Sequence, residues 1–243
     1  MPEVVIPADE LDRLLQNAGQ TILVGGQALA FWIAFYSVPI DDAPEAVVTK
    51  DADFLGNRED AHRFSLVLGG SVEYPKGMSM LAGVIRKKIS DTEEYEVDVL
   101  RVLNGLSPAE VRKHAKQISD EARNAKYLVM SPIDCLTSRL ENLRTIAAKQ
   151  TPAGAWQARV AVRVARSYLE DLLKKGQERD AIRAATEILR AATHAMGTNV
   201  FRKYGIDILE AVPLQKFKTK TFVEQQWARS VSRIQQLRSA TRP

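Results

Sequence analysis

Two aspartates separated by a single residue are the first candidates for chemistry in this chain. Asp51 and Asp53 lie in the segment 49–55 (TKDADFL), whose composition predicts a short β-strand. Side chains alternate between the two faces of a strand, so both carboxylates are predicted on one face and Ala52 and Phe54 on the other. Carboxylate oxygens placed together in this way suit a hard divalent cation such as Mg²⁺.

The spacing of these two acids has little specificity by itself. The chain contains 30 Asp and Glu residues, and the same acid-x-acid spacing occurs in Glu10/Asp12, Asp91/Glu93, Glu94/Glu96, Glu96/Asp98 and Glu178/Asp180. Most such pairs are solvated surface charges. A site at Asp51 and Asp53 therefore has to be argued from the segments around them.

Two neighbouring segments distinguish this pair from the others. Upstream, 21–26 (TILVGG) predicts a buried strand that ends in Gly25 and Gly26 and turns into a helix, so backbone N–H groups at the helix start are accessible to a phosphate. Downstream, 95–100 (YEVDVL) predicts a strand with Asp98 between two valines. A carboxylate in a central strand requires a functional or structural partner, because an unpaired buried charge is costly.

The elements that must position these residues change in character near residue 130. The sequence predicts an α+β fold with a domain over 1–130, in which strands form a mixed sheet with helices, and a helical domain over 131–243 with a basic C-terminal end. Strands are predicted at 21–26, 51–55, 71–74, 81–89 and 95–103. Helices are predicted at 27–36, 58–68, 107–118, 131–148, 155–175, 177–196 and 221–240.

Composition excludes several classes of protein. The chain has 45% hydrophobic and 26% charged residues, as expected for a globular protein. No apolar run reaches the ~18 to 20 residues of a membrane span, and the N-terminus lacks the pattern of a secretory signal, so a cytoplasmic location without membrane contact is predicted. The single cysteine, Cys135, excludes an internal disulfide and a multi-cysteine metal site.

Charge is distributed unevenly along the chain. The net charge is +4, but residues 196–243 contain nine Lys and Arg against three Asp and Glu, a net of +6. Cations and the aromatic residues Phe217 and Trp227 alternate there, which suggests RNA binding or, equally, a solvated basic helix. Arg159, Arg163 and Arg166 recur at helical spacing and fit either a phosphate groove or a solvent-facing stripe.

Taken in order, three elements resemble the polymerase-β-type nucleotidyltransferase superfamily. These are Val24-Gly25-Gly26 before a helix, then 49–55 (TKDADFL), then Val97-Asp98-Val99. Within the superfamily the sequence is most similar to bacterial toxins of the AbiEii and MenT type. The resemblance covers roughly the first 130 residues, and a helical C-terminal region is usual in that group. The chain departs from the pattern in having Gly25-Gly26 where Gly-Ser is frequent, and in a long span between Gly26 and Asp51.

The resemblance implies a role for each matching residue. Asp51, Asp53 and Asp98 would bind Mg²⁺ or Mn²⁺, and Asp98 would also help to deprotonate the acceptor hydroxyl. Gly25 and Gly26 would bind the triphosphate of an NTP substrate through their backbone. Cations are needed as well, and Lys76 and Arg139 are our first choices. Other cations that remain open are Lys50 and the run Arg86–Lys88.

The sequence thus predicts transfer of a nucleoside monophosphate from an NTP to a hydroxyl of RNA, such as a tRNA 3′ end, or of a protein. By resemblance, the protein would be a toxin of a toxin-antitoxin or phage-defence system with an antitoxin as its partner. The alternative is a non-catalytic member of the fold that binds a nucleotide, RNA or a partner protein. The presence of all three carboxylates favours catalysis, since a binding module does not need them.

Overall fold

The computed structural model describes residues 4–40 and 51–240 of the 243-residue chain. The chain forms two compact units, one comprising Met1–Phe31 and Glu45–Cys135 and the other comprising Trp32–Pro44 and Leu136–Pro243. The first unit contains the sheet, and the second is helical. The two units are not separated at a single point in the sequence. The segment Trp32–Pro44 lies within the predicted N-terminal domain, 1–130, but it belongs to the helical unit.

The first unit is built on a seven-stranded mixed sheet, in agreement with the predicted α+β class. Its strands lie in the order β3-β4-β5-β2-β1-β7-β6. Strand β2 pairs antiparallel with β1 and parallel with β5, and β1 pairs parallel with β7. The strands are β1 Ile22–Val24, β2 Ala52–Leu55, β3 Ser71–Glu73, β4 Leu81–Lys88, β5 Glu94–Leu100, β6 Lys116–Asp120 and β7 Ala125–Val129.

Helices cover one face of this sheet. Helix α3 begins after Asn57, whose side chain forms a reciprocal capping box with Asp60, and it ends at Gly69 in the left-handed conformation. Its Phe64 packs edge-on against Phe54 of β2, with ring centroids 4.8 Å apart. The apolar face of β2 is therefore buried under α3. The helices that begin in this unit are α1 Ala8–Gln16, α2 Gly25–Phe35, α3 Arg58–Leu68, α4 Pro108–His114 and α5 Pro132–Thr145.

The hairpin β6–β7 is the largest departure from the predicted secondary structure. The helix predicted at 107–118 ends at His114, and the next residues form β6. Ile118 pairs with Tyr127 across the hairpin, and Asn124 makes the connecting turn with a positive φ of 46°. The alternation of half-buried and exposed residues along Lys116–Asp120 has the period of a strand, so the prediction of a helix over 116–118 is wrong. Helix α1 was also not predicted.

A nearly buried carboxylate joins α1 to the sheet. Glu10 is only 9% exposed, and it accepts a hydrogen bond of 2.8 Å from Arg13 and one from Lys87 of β4. We expect Glu10→Ala to lower the free energy of unfolding by about 2 kcal/mol, because two cations would lose a shared partner in a water-poor site. That loss corresponds to a fall in melting temperature of roughly 4–8 °C.

Thermal unfolding followed by circular dichroism measures this effect. Glu93→Ala is the matched control, because Glu93 is exposed and its side chain makes no hydrogen bond or ion pair within the described residues. A melting temperature of Glu10→Ala within 1 °C of that of the control would contradict the assigned role.

The second unit consists of packed helices. In addition to the C-terminal part of α5, it contains α6 Pro152–Lys174, α7 Glu178–Thr193, α8 Ala195–Tyr204 and α9 Ala228–Ser239, with a π-helical segment over Thr221–Trp227. The helix predicted at 177–196 ends earlier, because His194 adopts an extended conformation and starts α8. Of the helices over 4–40 and 51–240, none has both the length and the hydropathy to cross a membrane.

Three arginines at helical spacing on α6 form hydrogen bonds to other segments of the helical unit. Arg159 donates to the Tyr204 carbonyl at 2.9 Å, Arg163 to the Pro39 carbonyl at 3.1 Å and Arg166 to the Glu210 carbonyl at 2.8 Å. Each guanidinium therefore bonds to the backbone of a different segment of the helical unit. These contacts give the three arginines a structural role. The sequence had suggested only a phosphate groove or a solvent-facing stripe.

Candidate active site

Strand register places two of the three predicted carboxylates side by side. Asp53 of β2 and Asp98 of β5 are direct partners in the parallel pair, and Ala52 pairs with Val97. Direct partners project from the same face of a sheet, so the two carboxylates share the face opposite to Phe54 and Val99. Asp53 and Asp98 are both half-buried. The sheet thus brings together two acids that lie 45 positions apart in the chain.

Gly25 lies directly against Asp53. Val24, the last residue of β1, pairs with Asp53, and Gly25 then starts α2 with a φ of +64°. A Cβ atom at position 25 would lie 1.8 Å from Oδ2 of Asp53, well inside contact distance. Only glycine meets both demands, the left-handed backbone and the absence of a side chain. The Asp53 carboxylate accordingly occupies the space beside the first residue of the helix.

This arrangement places the start of α2 beside the carboxylate of Asp53. The first backbone N–H groups of a helix have no partner within the helix and carry partial positive charge. Gly25 and Gly26 begin α2, and both are half-buried. The same position therefore offers N–H donors for anionic oxygens next to carboxylates that suit a cation.

Asp51 occupies the residue immediately before β2, two positions from Asp53, and it is half-buried. Over 4–40 and 51–240, no three His, Cys, Asp or Glu side chains lie close enough together to hold a metal ion. The donor set nevertheless suits a hard divalent cation, because its ligand atoms are carboxylate oxygens and strand register places two of them as neighbours. Joint binding of a metal by Asp51, Asp53 and Asp98 stays a prediction.

A second pair of charges lies on the same face of β5. Glu96, two residues before Asp98, accepts a hydrogen bond from Arg86 of β4, and Arg86 also forms an ion pair with Glu73 at 2.7 Å. Pairing with Glu96 raises the pKa of Arg86 further above its usual range. Arg86 is therefore engaged by two carboxylates of neighbouring strands. Lys87 is bonded to Glu10, so two of the three cations in Arg86–Lys88 stabilise the fold.

The other predicted triphosphate-binding cations lie in contrasting environments. Lys76 is exposed in the turn after β3, the edge strand, which β4 and β5 separate from β2. Arg139 lies on α5 in the helical unit, where it is 8% exposed and donates to Oε1 of Gln157 at 3.1 Å. Lys50 and the loop Asp41-Asp42 fall outside the described residues. The structure therefore does not place any of these cations at the carboxylate pair.

The basic C-terminal segment differs from the expected pattern of alternating cations and aromatic surfaces. Phe217 is buried and packs on Phe222, with ring centroids 4.7 Å apart, so it presents no face for stacking on a base. Arg238 forms an ion pair with Asp207 at 2.6 Å. Among the described residues of this segment, the exposed cations are Arg202, Lys203, Lys216, Lys218, Lys220, Arg229 and Arg233. Phe217 therefore contributes to the core of the helical unit, whereas Trp227, the other aromatic residue of the expected pattern, is half-buried.

A buried carboxylate at the start of α5 was not singled out from the sequence. Asp134 is 5% exposed and accepts a hydrogen bond of 2.8 Å from the Ser131 hydroxyl, while its own N–H donates to that hydroxyl oxygen at 3.1 Å. His114 lies 3.5 Å from Asp134 and 3.5 Å from Glu110. The Ser-x-x-Asp spacing of a helix start is the signal by which Asp134 could have been found.

Burial raises the pKa of Asp134, and the hydrogen bond from Ser131 and the proximity of His114 partly oppose this shift. The folded chain therefore retains this proton at pH values where the unfolded chain has lost it. The contribution of Asp134 to stability falls as pH rises from the unfolded value of 3.8 through the higher folded pKa. We expect Asp134→Asn to gain stability relative to the wild type as pH rises across this range.

Urea unfolding of both proteins between pH 4 and pH 7 measures this difference. The comparison is repeated in a His114→Gln background, because His114 lies 3.5 Å from Asp134. Parallel pH profiles for wild type and Asp134→Asn in both backgrounds would contradict the assigned shift.

Comparison of the chain with models of known protein families and with curated proteins gives no match.

Proposed function

We propose that this protein is a metal-dependent nucleotidyltransferase that transfers a nucleoside monophosphate from an NTP to a hydroxyl group. The observation that supports this most strongly is the direct pairing of Asp53 with Asp98, with Gly25 held against the Asp53 carboxylate. This pairing combines groups suited to a cation with groups suited to a phosphate in a single place. These are also the residues on which the resemblance to the nucleotidyltransferase superfamily rests.

In this proposal each residue acts through the group that it presents. The backbone N–H groups of Gly25 and Gly26 bind oxygens of the triphosphate at the start of α2. Asp51, Asp53 and Asp98 hold the cation, which when bound neutralises the negative charge that develops on the phosphate oxygens. Asp98 accepts the proton of the acceptor hydroxyl.

The transfer forms one bond to phosphorus and breaks another. The acceptor oxygen forms a bond to the α-phosphorus of the NTP, and the bond between that phosphorus and the oxygen bridging to the β-phosphate breaks. The leaving group is pyrophosphate. Because the protein forms no covalent bond in this reaction, its contribution is to position the reactants and to stabilise charge.

Electrostatics favours RNA over a protein as the acceptor. The helical unit comprising 32–44 and 136–243 contains 20 Lys and Arg against 11 Asp and Glu, a net of +9, whereas the remainder of the chain has a net of −5. A polyanion such as a tRNA 3′ end is attracted to a unit of this charge. If the resemblance to toxins extends to biology, the partner that restrains the enzyme is an antitoxin protein.

Transfer is tested by incubating the protein with Mg²⁺ and each of the four α-³²P-labelled NTPs in turn, with total RNA or a protein extract as acceptor. We expect label in a product that ribonuclease degrades and protease does not. Label in a protease-sensitive product would assign a protein acceptor and contradict the RNA assignment. Absence of label with every NTP and both acceptors would favour the alternative, a non-catalytic nucleotide-binding or RNA-binding module.

A further inference from the structure

A basic cavity lies within the helical unit, between the C-terminal ends of α5 and α8. Its volume is about 340 Å³, and its lining includes Arg144 at the end of α5 and Asn199, Arg202, Lys203 and Tyr204 on α8. Among the lining residues in the described part of the chain, three are cations and none is an acid. A lining of this charge suits a phosphate group, either free or in a phosphodiester.

Each of the three cations has at least one hydrogen-bond partner in the helical unit. The Lys203 ammonium donates to Oε1 of Gln150 at 2.7 Å and has no carboxylate partner within 51–240. Arg202 donates through Nη2 to the Leu237 carbonyl at 2.6 Å, a neutral acceptor. Arg144 donates hydrogen bonds to Glu141 through Nε, at 3.0 Å, and through Nη2. Its Nη1 takes no part in this ion pair.

A neutral amide completes the lining. Asn199 is exposed and contributes a side-chain amide. Tyr204 also lines the cavity, but its hydroxyl is excluded from solvent. The lining therefore combines three cations with a neutral amide, and none of its described residues is a carboxylate.

We propose that this cavity binds a phosphate of the RNA backbone and thereby holds the acceptor on the helical unit. The choice of RNA as the ligand rests on the proposed function, whereas the preference for an anion rests on the cavity itself. The net charge of +9 on the same unit attracts a polyanion over a longer range, and the cavity provides a defined contact.

Equilibrium binding of a labelled RNA oligonucleotide tests this proposal without any transfer reaction. A single-stranded RNA 12-mer carrying fluorescein is titrated with wild type and with the double variant Arg202→Gln/Lys203→Gln, in the absence of NTP and divalent metal. We expect the double variant to bind about 10- to 100-fold more weakly, because two charge-assisted hydrogen bonds are lost. The slope of log Kd against log salt concentration is expected to fall by about 1.

The matched control is Arg179→Gln/Arg190→Gln on α7 of the same unit. Both of these arginines are exposed, and their loss changes the net charge by the same amount. We expect this control to weaken RNA binding less than threefold. Equal weakening by both double variants would show that net charge alone attracts RNA, and it would overturn the assignment of the cavity.

Two further measurements separate the remaining outcomes. Cations near helix C-termini also stabilise the helix dipole, so thermal unfolding of each variant identifies a loss of binding that follows from a loss of folding. In that event Lys203→Gln alone is tested, because Arg202 makes the contact to the Leu237 carbonyl.

Inorganic phosphate that binds wild type but not Arg202→Gln/Lys203→Gln, with RNA binding unchanged, would also overturn the proposal. RNA binding that depends on the cavity in a protein without transfer activity would support it while contradicting the proposed function.

Discussion

Replacing Asp98 by Asn should reduce nucleotidyl transfer by on the order of 10³-fold, which corresponds to about 4 kcal/mol of transition-state stabilisation. Asp98 is the direct sheet partner of Asp53 and is proposed both to hold the cation and to accept the proton of the acceptor. Asparagine has nearly the same size but carries no charge and accepts a proton poorly. The effect should therefore be much larger on kcat than on folding.

Glu96→Gln is the matched control for this substitution. Glu96 lies on the same strand and face, two residues before Asp98, but it bonds to Arg86. We expect this variant to keep transfer within about threefold of wild type and to lose at most ~1 kcal/mol of stability, since its ion pair is partly exposed. Steady-state transfer rates and thermal unfolding of both variants measure the difference. Equal losses of activity in the two variants would contradict a specific role for Asp98.

Metal dependence provides a second readout at Asp98. A ligand that binds only the folded state raises the melting temperature by mass action. With Mg²⁺ at about ten times its dissociation constant, the gain is ~1.4 kcal/mol, or roughly 3–5 °C for a chain of this length. We expect this Mg²⁺-dependent shift in wild type and Glu96→Gln and its loss in Asp98→Asn. A shift that persists in Asp98→Asn would place the cation elsewhere.

Replacing Gly25 by Ala should have the second largest effect. The new Cβ atom would lie 1.8 Å from Oδ2 of Asp53, so either the carboxylate or the start of α2 must move. A displacement of about 1 Å in a catalytic group costs on the order of 10²-fold in rate. The left-handed backbone at φ +64° adds strain, and we expect a total loss of about 1–3 kcal/mol in the free energy of unfolding.

Gly69→Ala separates backbone strain from the clash with Asp53. Gly69 has a φ of +68°, and a Cβ atom there would meet nothing within 4 Å. We expect it to lose about 1 kcal/mol of stability, as for any non-glycine residue in this conformation, and to retain full transfer activity. Chemical denaturation and transfer assays on the two alanine variants make the comparison. Retention of full activity by Gly25→Ala would show that close contact with Asp53 is not required.

Asp53 and Asp98 could be selected as candidates from the sequence because strand periodicity and local chemistry agree at both positions. Asp53 and Asp98 sit between buried apolar residues at alternate positions, and such a pattern predicts the face of each carboxylate. It did not predict that the two residues are register partners, since pairing between strands depends on the packing of the whole sheet. A change from strand to helix near Gly25-Gly26 was also predicted, although β1 ends at Val24 and both glycines belong to α2. The contact between Gly25 and Asp53 could be seen only in the structure.

Elements outside this region were harder to predict for physical reasons. The short strand β6 follows a helix directly, and its single half-buried isoleucine gives a weak signal. The burial of Phe217 and of Arg139 depends on partners distant in the sequence, Phe222 and Gln157. The cavity lined by Arg202 and Lys203 forms because two helix ends meet, and no local pattern in the sequence contains that information.

The most direct test of the central claim is transfer of label from an α-³²P-labelled NTP to RNA by wild type and by Asp53→Ala, with Mg²⁺ and with EDTA. We expect label and an equal amount of released pyrophosphate only for wild type with Mg²⁺. Label transferred equally by both proteins, or by wild type in EDTA, would contradict a metal-dependent reaction at this site.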